Sequence, residues 1–193
     1  MQALLKKAHQ NDILILNSQT VTSFQEVNDG VEVETNGISF KTNKLLFTTN
    51  GFASQITNNQ VKPARAQVLI TKPIPNLDIK GTFHLDKGYF YFRNINDRIL
   101  FGGGRNLDFE GETTTSHDTT ELIQNRLEEL LKTVILPHQE FKIEHRWSGT
   151  MGVGIHKKPI VEQLSNNVYC GVRMGGMGVA IGSLVGQELA DLI

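Results

Sequence analysis

The stretch VYCGVRMGGMGVAIGSLVG, residues 168–186, runs from a short apolar strand through glycines into a helix. Glycines ahead of a helix let backbone N–H groups come close to an anion, and the helix start adds partial positive charge. Gly175, Gly176, Met177, Gly178 and Val179 are therefore suited to a phosphate or a polarised ring carbonyl. The turn is not a Rossmann fingerprint. Gly176-Met177-Gly178 is followed by Val179-Ala180-Ile181, where G-x-G-x-x-G would place its third glycine, and no acidic residue follows at the distance a ribose contact needs. A packing explanation stands beside the ligand-binding one: Gly178, Gly182 and Gly186 are four apart, share one helix face and would admit a neighbouring backbone.

Tyr89, Tyr91 and Arg93 alternate along one β-rich piece, so they share a face that could present an arginine to a carboxylate. The alternative is a solvent-facing arginine beside half-buried tyrosines. Arg65 and Arg173 are further substrate-binding candidates. His84, His117, His138, His145 and His156 are scattered without metal-like spacing, so no metal site is assigned. The single cysteine, Cys170, stands on the apolar strand and reads as a quiet core thiol. No nucleophile elbow or phosphate-binding P-loop occurs.

These residues need a scaffold, and 193 residues with 39% apolar and 20% charged side chains can bury one. The net charge of -1 argues against nucleic acid as a partner. No apolar run approaches the length of a membrane span, and polar residues break up the N-terminus, so the expectation is a soluble cytoplasmic protein with no membrane partner.

Residues 2–9 favour a short helix and Ile13–Leu16 a compact strand. The turn signals Asn28-Asp29-Gly30 and Asn36-Gly37 divide residues 21–49 into a three-stranded antiparallel meander, which ends in an apolar run from Leu45 to Phe47. Beyond Pro63, four β-rich pieces around residues 64–105 predict a second antiparallel sheet. The next segment is a helix with Leu122, Ile123, Leu127, Leu130, Leu131 and Val134 on its inner side, a capping box of Asp118 with Glu121, and Pro137 at its end.

Four stretches in this order resemble the C-terminal portion of the D-amino-acid-oxidase-like family of FAD-dependent oxidoreductases, which includes glycine, sarcosine and γ-glutamylputrescine oxidases. The meander ends at Thr48-Thr49-Asn50-Gly51, similar to the family's alanine-threonine-glycine loop. VKPARAQVLITKP resembles its P-x-R-G-Q segment, with Ala66 in place of glycine. GYFYFRNINDRILFGGGR looks like its Y-x-R to G-G hairpin, and RWSGTMGVGIHKKPIV through GGMG resembles its closing segment.

The resemblance implies an α+β fold derived from α/β: a partial FAD-binding domain with an antiparallel meander, and an inserted antiparallel-sheet substrate domain with helices. Residues 1–60 and 146–193 would belong to the FAD-binding domain and residues 61–145 to the substrate domain. The pyrophosphate-binding βαβ unit would precede the present chain. FAD is the implied cofactor, though not one this chain need retain alone. Gly175, Gly176, Met177, Gly178 and Val179 would flank the flavin ring, Asn50 and Gly51 would lie near it, and Val21 would touch the adenine side.

The implied reaction is hydride transfer to flavin from the carbon beside the nitrogen of an amine or amino acid. Tyr89, Tyr91, Arg93 and Arg173 would bind the substrate. Ala180 falls where sarcosine-type oxidases place a carboxylate-binding lysine, which points towards an amine without a nearby carboxylate. Gly149 stands near a position where some members tether flavin through cysteine, so no covalent link is expected there. The alternative expectation is a non-catalytic remnant or subunit that binds cofactor or substrate with a partner chain. An exposed edge left without the βαβ unit would then favour self-association or a partner.

Overall fold

The computed structural model describes residues 1–193 as two compact units, Met1–Leu46 with Gln163–Tyr169 and Phe47–Glu162 with Cys170–Ile193. In the first, α1 (Gln2–Gln10) buries none of its side chains. Ile13–Leu16 does not form the expected strand. A strand needs a neighbour for its N–H and C=O groups, and no strand pairs with this run, whose four side chains are all exposed.

The expected meander is present as β1 (Val21–Val27), β2 (Gly30–Thr35) and β3 (Ser39–Thr42), in the order β1-β2-β3. Val31 and Val33 point inward while Glu32 and Glu34 point out, the alternation that fixes register when one face is buried. Gly30 is required by close approach: a Cβ there would stand 2.2 Å from the Thr42 carbonyl oxygen. After β4 (Leu45–Phe47) comes a short 3-10 turn at Asn50–Phe52.

The second unit is built on β5 (Lys62–Thr71), β6 (Thr82–Leu85), β7 (Phe90–Ile95), β8 (Arg98–Gly103) and β9 (Ile143–Val153), an antiparallel sheet in the order β6-β7-β8-β5-β9. Leu69, Phe90, Ile99 and Phe101 face α2 (Glu121–Leu130) and bury against Ile123, Leu127 and Leu131. A single π-turn, Leu131–Ile135, extends α2, with the Leu136 amide reaching back to the Leu131 carbonyl at 2.8 Å. That extra residue rotates Val134 outward, and Leu122 also lies on the outer side, so these two members of the expected inner face are exposed. The expected capping box is absent: Thr120 is the N-cap, and Asp118 accepts the Ser116 hydroxyl at 2.6 Å.

The chain closes through β10 (Ile160–Ser165), β11 (Val168–Val172) and α3 (Gly178–Asp191), with β10, β11 and β4 forming a sheet in the order β10-β11-β4. Close packing of α3 depends on Gly171 of β11, where a Cβ would meet Leu189 Cδ2 at 3.0 Å and Val185 Cγ1 at 3.3 Å. The helix glycines expected to serve that purpose do not: nothing lies within 4 Å of a Cβ at Gly186, and Gly182 faces only the Met174 sulfur, at 3.8 Å. No helix is long and apolar enough to cross a membrane.

Candidate active site

Strand alternation divides the five-stranded sheet into two chemically different faces. On the α2 side, Arg65 and Gln67 project from β5 into a buried polar network. Glu112 accepts Arg65 Nη2 at 2.7 Å and Nε at 2.9 Å, and it also accepts Gln67 Nε2 at 2.9 Å. Gln67 Oε1 in turn accepts the Thr120 amide at 2.9 Å, anchoring the start of α2. The Glu112 hydrogen bond, opposed by desolvation, holds the Arg65 guanidinium above its ordinary pKa. Arg65, a sequence candidate for substrate binding, is thus committed to the interior.

The opposite face is open. Ala66 on β5 and Gly149 on β9 stand opposite one another in register, and nothing lies within 4 Å of a Cβ at Gly149. Gly102 lies against Val68 and Tyr91, so closely that a Cβ would meet Val68 Cγ1 at 2.4 Å. Around this low floor rise Tyr91 and Arg93 of β7, His84 of β6 and Met151 of β9. With Gly175, Gly176 and Met177 they line a largely apolar cavity of about 590 Å³. A smaller cavity of about 190 Å³ shares Gly88, Tyr91 and Met151 with it, and adds Ala66, Tyr89, Arg105 and Phe109.

Tyr91 is 37% exposed along these cavities, yet its surroundings desolvate it enough to push the phenol's pKa up. It remains a neutral hydrogen-bonding group at physiological pH. Tyr89 does not share its strand position as expected: β7 begins at Phe90, and Tyr89 precedes it in a helical conformation at the smaller cavity. Arg93 is exposed, and its Nε donates to the neighbouring Asn94 carbonyl at 3.4 Å.

The glycine turn forms the other wall. Gly175 and Gly176 adopt φ of +57° and +85°, and Arg173 adopts +64°. Gly175 N donates to the Gly152 carbonyl at 2.9 Å, and Met174 N donates to the Asn50 side-chain carbonyl at 3.1 Å. These two bonds fix the turn on β9 and on the 3-10 turn after β4. The N–H groups of Gly176, Gly178 and Val179 make no hydrogen bond within the chain, and Val179 is fully exposed. Free amides at the start of a 14-residue helix fit a carbonyl oxygen that gains negative charge.

The turn residues Gly175, Gly176 and Met177 therefore share a cavity with Tyr91 and Arg93. Asn50 buttresses the turn from behind. Gly51 is buried, and its missing Cβ gives room to the Met151 carbonyl, which would lie 2.7 Å away. Arg173 is 8% exposed and donates to the Lys158 carbonyl at 2.8 Å, and with His156 and Lys157 it lines a further cavity that meets the larger one at Gly175 and Met177. Val21 lies half-exposed on β1 of the first unit. Met151 and Arg105 were not singled out in the sequence, and His84 was weighed there only as one of the scattered histidines. Met151 was legible as the residue two beyond Gly149 on the same strand face, and Arg105 as a cation directly after three glycines.

An antiparallel sheet with one covered and one open face, and a glycine turn leading into a helix at its edge, make up a fold also found in solved dehydrogenases and oxidases. The model of the FAD dependent oxidoreductase (DAO) family matches residues 1–192, and the chain belongs to that family, whose cofactor is FAD. A curated relative, the probable oxidoreductase OrdL of Haemophilus influenzae, is 20% identical over 94% of this chain and 43% of its own length. L-Proline dehydrogenase from P. horikoshii superposes with a TM-score of 0.81 at 21% identity, covering 99% of this chain and 53% of that one. Glycine oxidase from Bacillus cereus gives 0.75 at 16% identity, covering 96% and 53%. The chain thus spans about half the length of the proteins it resembles.

Proposed function

We propose that this chain supplies the substrate-facing and flavin-ring-facing parts of an oxidoreductase that oxidises the C–N bond of an amine or amino acid. The observation that supports it is the shared cavity, where the free Gly176 amide of the turn that leads into α3 and an open aromatic sheet face meet. Bound FAD would accept a hydride from the carbon beside the nitrogen, the hard chemistry being the cofactor's. The chain's own residues do the rest. The amides of Gly176, Gly178 and Val179 stabilise negative charge on a ring carbonyl oxygen, a preorganised electrostatic contribution. Tyr91 and Arg93 orient the substrate, while Leu100 and Met151 exclude water from its reacting end. In this reading residues 61–145 carry the substrate-binding part, and residues 1–60 and 146–193 the cofactor-binding part.

The visible spectrum of the purified protein, before and after adding FAD and removing the excess, tests the reading. Retained flavin absorbance that bleaches anaerobically with amines or amino acids supports it; a flavin-bound protein that no such compound bleaches overturns it. The four exposed apolar residues Ile13–Leu16 favour a second reading, in which cofactor and substrate are held only with a partner chain bearing a dinucleotide-binding unit. A colourless protein that gains flavin only in the presence of such a partner selects it.

A further inference from the structure

Three of the chain's four methionines, Met151, Met174 and Met177, gather at the glycine turn. The Met151 sulfur would lie 3.0 Å from a Cβ at Gly176, and the Met174 sulfur 3.4 Å from one at Gly178. Both residues are half-buried. Met177 is instead 58% exposed and lines the larger cavity as well as the further one beside His156 and Lys157. Peroxide converts an accessible thioether to a sulfoxide, so Met177 is the reactive member of the three.

Its place at the start of α3 gives that reaction a consequence. Met177 is the N-cap: its carbonyl accepts the Ala180 amide at 2.9 Å and the Ile181 amide at 3.0 Å, but its side chain caps nothing. A good N-cap residue carries a side-chain oxygen that accepts a first-turn amide. The thioether sulfur is only a weak acceptor, and the amides of Gly178 and Val179 are left free. One oxygen added to the sulfur stands as many bonds from the backbone as the side-chain oxygen of a glutamine.

We propose that Met177 is a modification site, a redox-sensitive cap of α3. Hydrogen peroxide oxidises the thioether: the O–O bond breaks, one oxygen is transferred to sulfur and the other leaves as water. The sulfoxide oxygen then accepts a free amide, of Gly178 or Val179. These are the amides assigned above to a flavin carbonyl, so the oxidised turn holds flavin less well. Dioxygen reduced by an amine or amino acid through the flavin becomes hydrogen peroxide, and such an oxidase would restrain itself at Met177. The peroxide supply and the competition with flavin rest on the proposed function; the capping does not.

Limited treatment of the full chain with hydrogen peroxide, followed by peptide mass mapping and amide hydrogen exchange, tests it. Met177 should gain its oxygen at least about threefold faster than Met151 and Met174. Exchange at Gly178 or Val179 should then slow about fivefold, the protection of one net hydrogen bond, and recover after methionine sulfoxide reductase treatment. Untreated Met177→Gln should already show the slowed exchange, and Met177→Leu should not respond to peroxide. Equally fast oxidation of Met151 or Met174, unchanged exchange in the Met177 sulfoxide, or Met177→Leu responding as the parent does would overturn the inference. Flavin spectra of the same samples separate the two levels. Flavin held about fivefold more weakly after oxidation supports the competition, and equal retention overturns it. A protein that amines bleach but whose exchange ignores oxidation loses the cap and keeps the oxidase reading. Slowed exchange in a flavin-bound protein that no amine or amino acid bleaches does the reverse.

Discussion

The side-chain carbonyl of Asn50 accepts the backbone N–H of Met174 at 3.1 Å, linking the 3-10 turn after β4 to the glycine turn before α3. Asn50 also adopts φ of +46°, a conformation that asparagine tolerates and alanine does not favour. Asn50→Ala removes the acceptor and strains the backbone together, for a combined cost of about 1–3 kcal/mol. Urea denaturation should show that loss, and Asn50→Asp, which keeps an oxygen at the same place, should recover most of it. Equal stability for the alanine variant and the parent would mean that the turn holds itself.

Glu112 and Arg65 are the most deeply buried ion pair, with side chains 1% and 7% exposed. Removing one partner strands the other charge, so Glu112→Ala should cost about 3–5 kcal/mol in denaturant titrations. The Arg65 pKa is raised in the folded state, so its contribution is fully present below the ordinary arginine value and is lost only as pH rises beyond it. The penalty of the variant, as far as Arg65 sets it, should therefore stay constant between about pH 6 and pH 10. A double replacement, Arg65→Met with Glu112→Leu, should be milder than Glu112→Ala alone.

A second pair responds to acid. Arg98 Nε donates to Glu144 at 2.8 Å, and that hydrogen bond lowers the Glu144 pKa from its ordinary 4.5. A depressed carboxyl pKa contributes stability above the unfolded value and loses it as pH falls through the folded one. Stability curves of the parent and Arg98→Met should run apart at neutral pH and converge below pH 4.5. Parallel curves down to acid denaturation would show that the pair contributes nothing.

Burial pushes the Cys170 thiol's pKa up, with no exposed surface left to the residue. A thiol held neutral and covered is a poor nucleophile. A disulfide-exchange reagent at pH 8 should leave Cys170 untouched in the native protein and label one thiol per chain in denaturant. Rapid labelling of the folded chain would contradict the closed packing of β11 on α3.

Much of this arrangement was legible from local chemistry. The meander followed from two turn signals and strict alternation, and the glycine turn from helix-start physics. Longer-range consequences were not. Which face of β5 is covered depends on where α2 lands, so Arg65 could not be told from an active-site arginine until Glu112 was found beneath it. Ile13–Leu16 has a strand's composition, but pairing is a property of neighbours. Gly186 has the spacing of a close-packing glycine, whereas Gly171, with no periodicity to mark it, is the one that α3 requires.

Gly149 and Gly102 separate a glycine kept for space above the sheet from one kept for the sheet itself. Both lie on the open face, but a Cβ at Gly102 would collide with Val68, whereas one at Gly149 would meet nothing within 4 Å. Gly149→Leu should therefore fold within about 0.5 kcal/mol of the parent. The new side chain would overhang Ala66, its register partner and part of the smaller cavity's lining. Ligand binding in that cavity should fall by roughly tenfold or more, because a displaced substrate loses its orientation. Gly102→Ala should instead cost about 1–3 kcal/mol through overpacking. If Gly149→Leu is stable and binds ligand as the parent does, the open face is not where this chain meets its substrate.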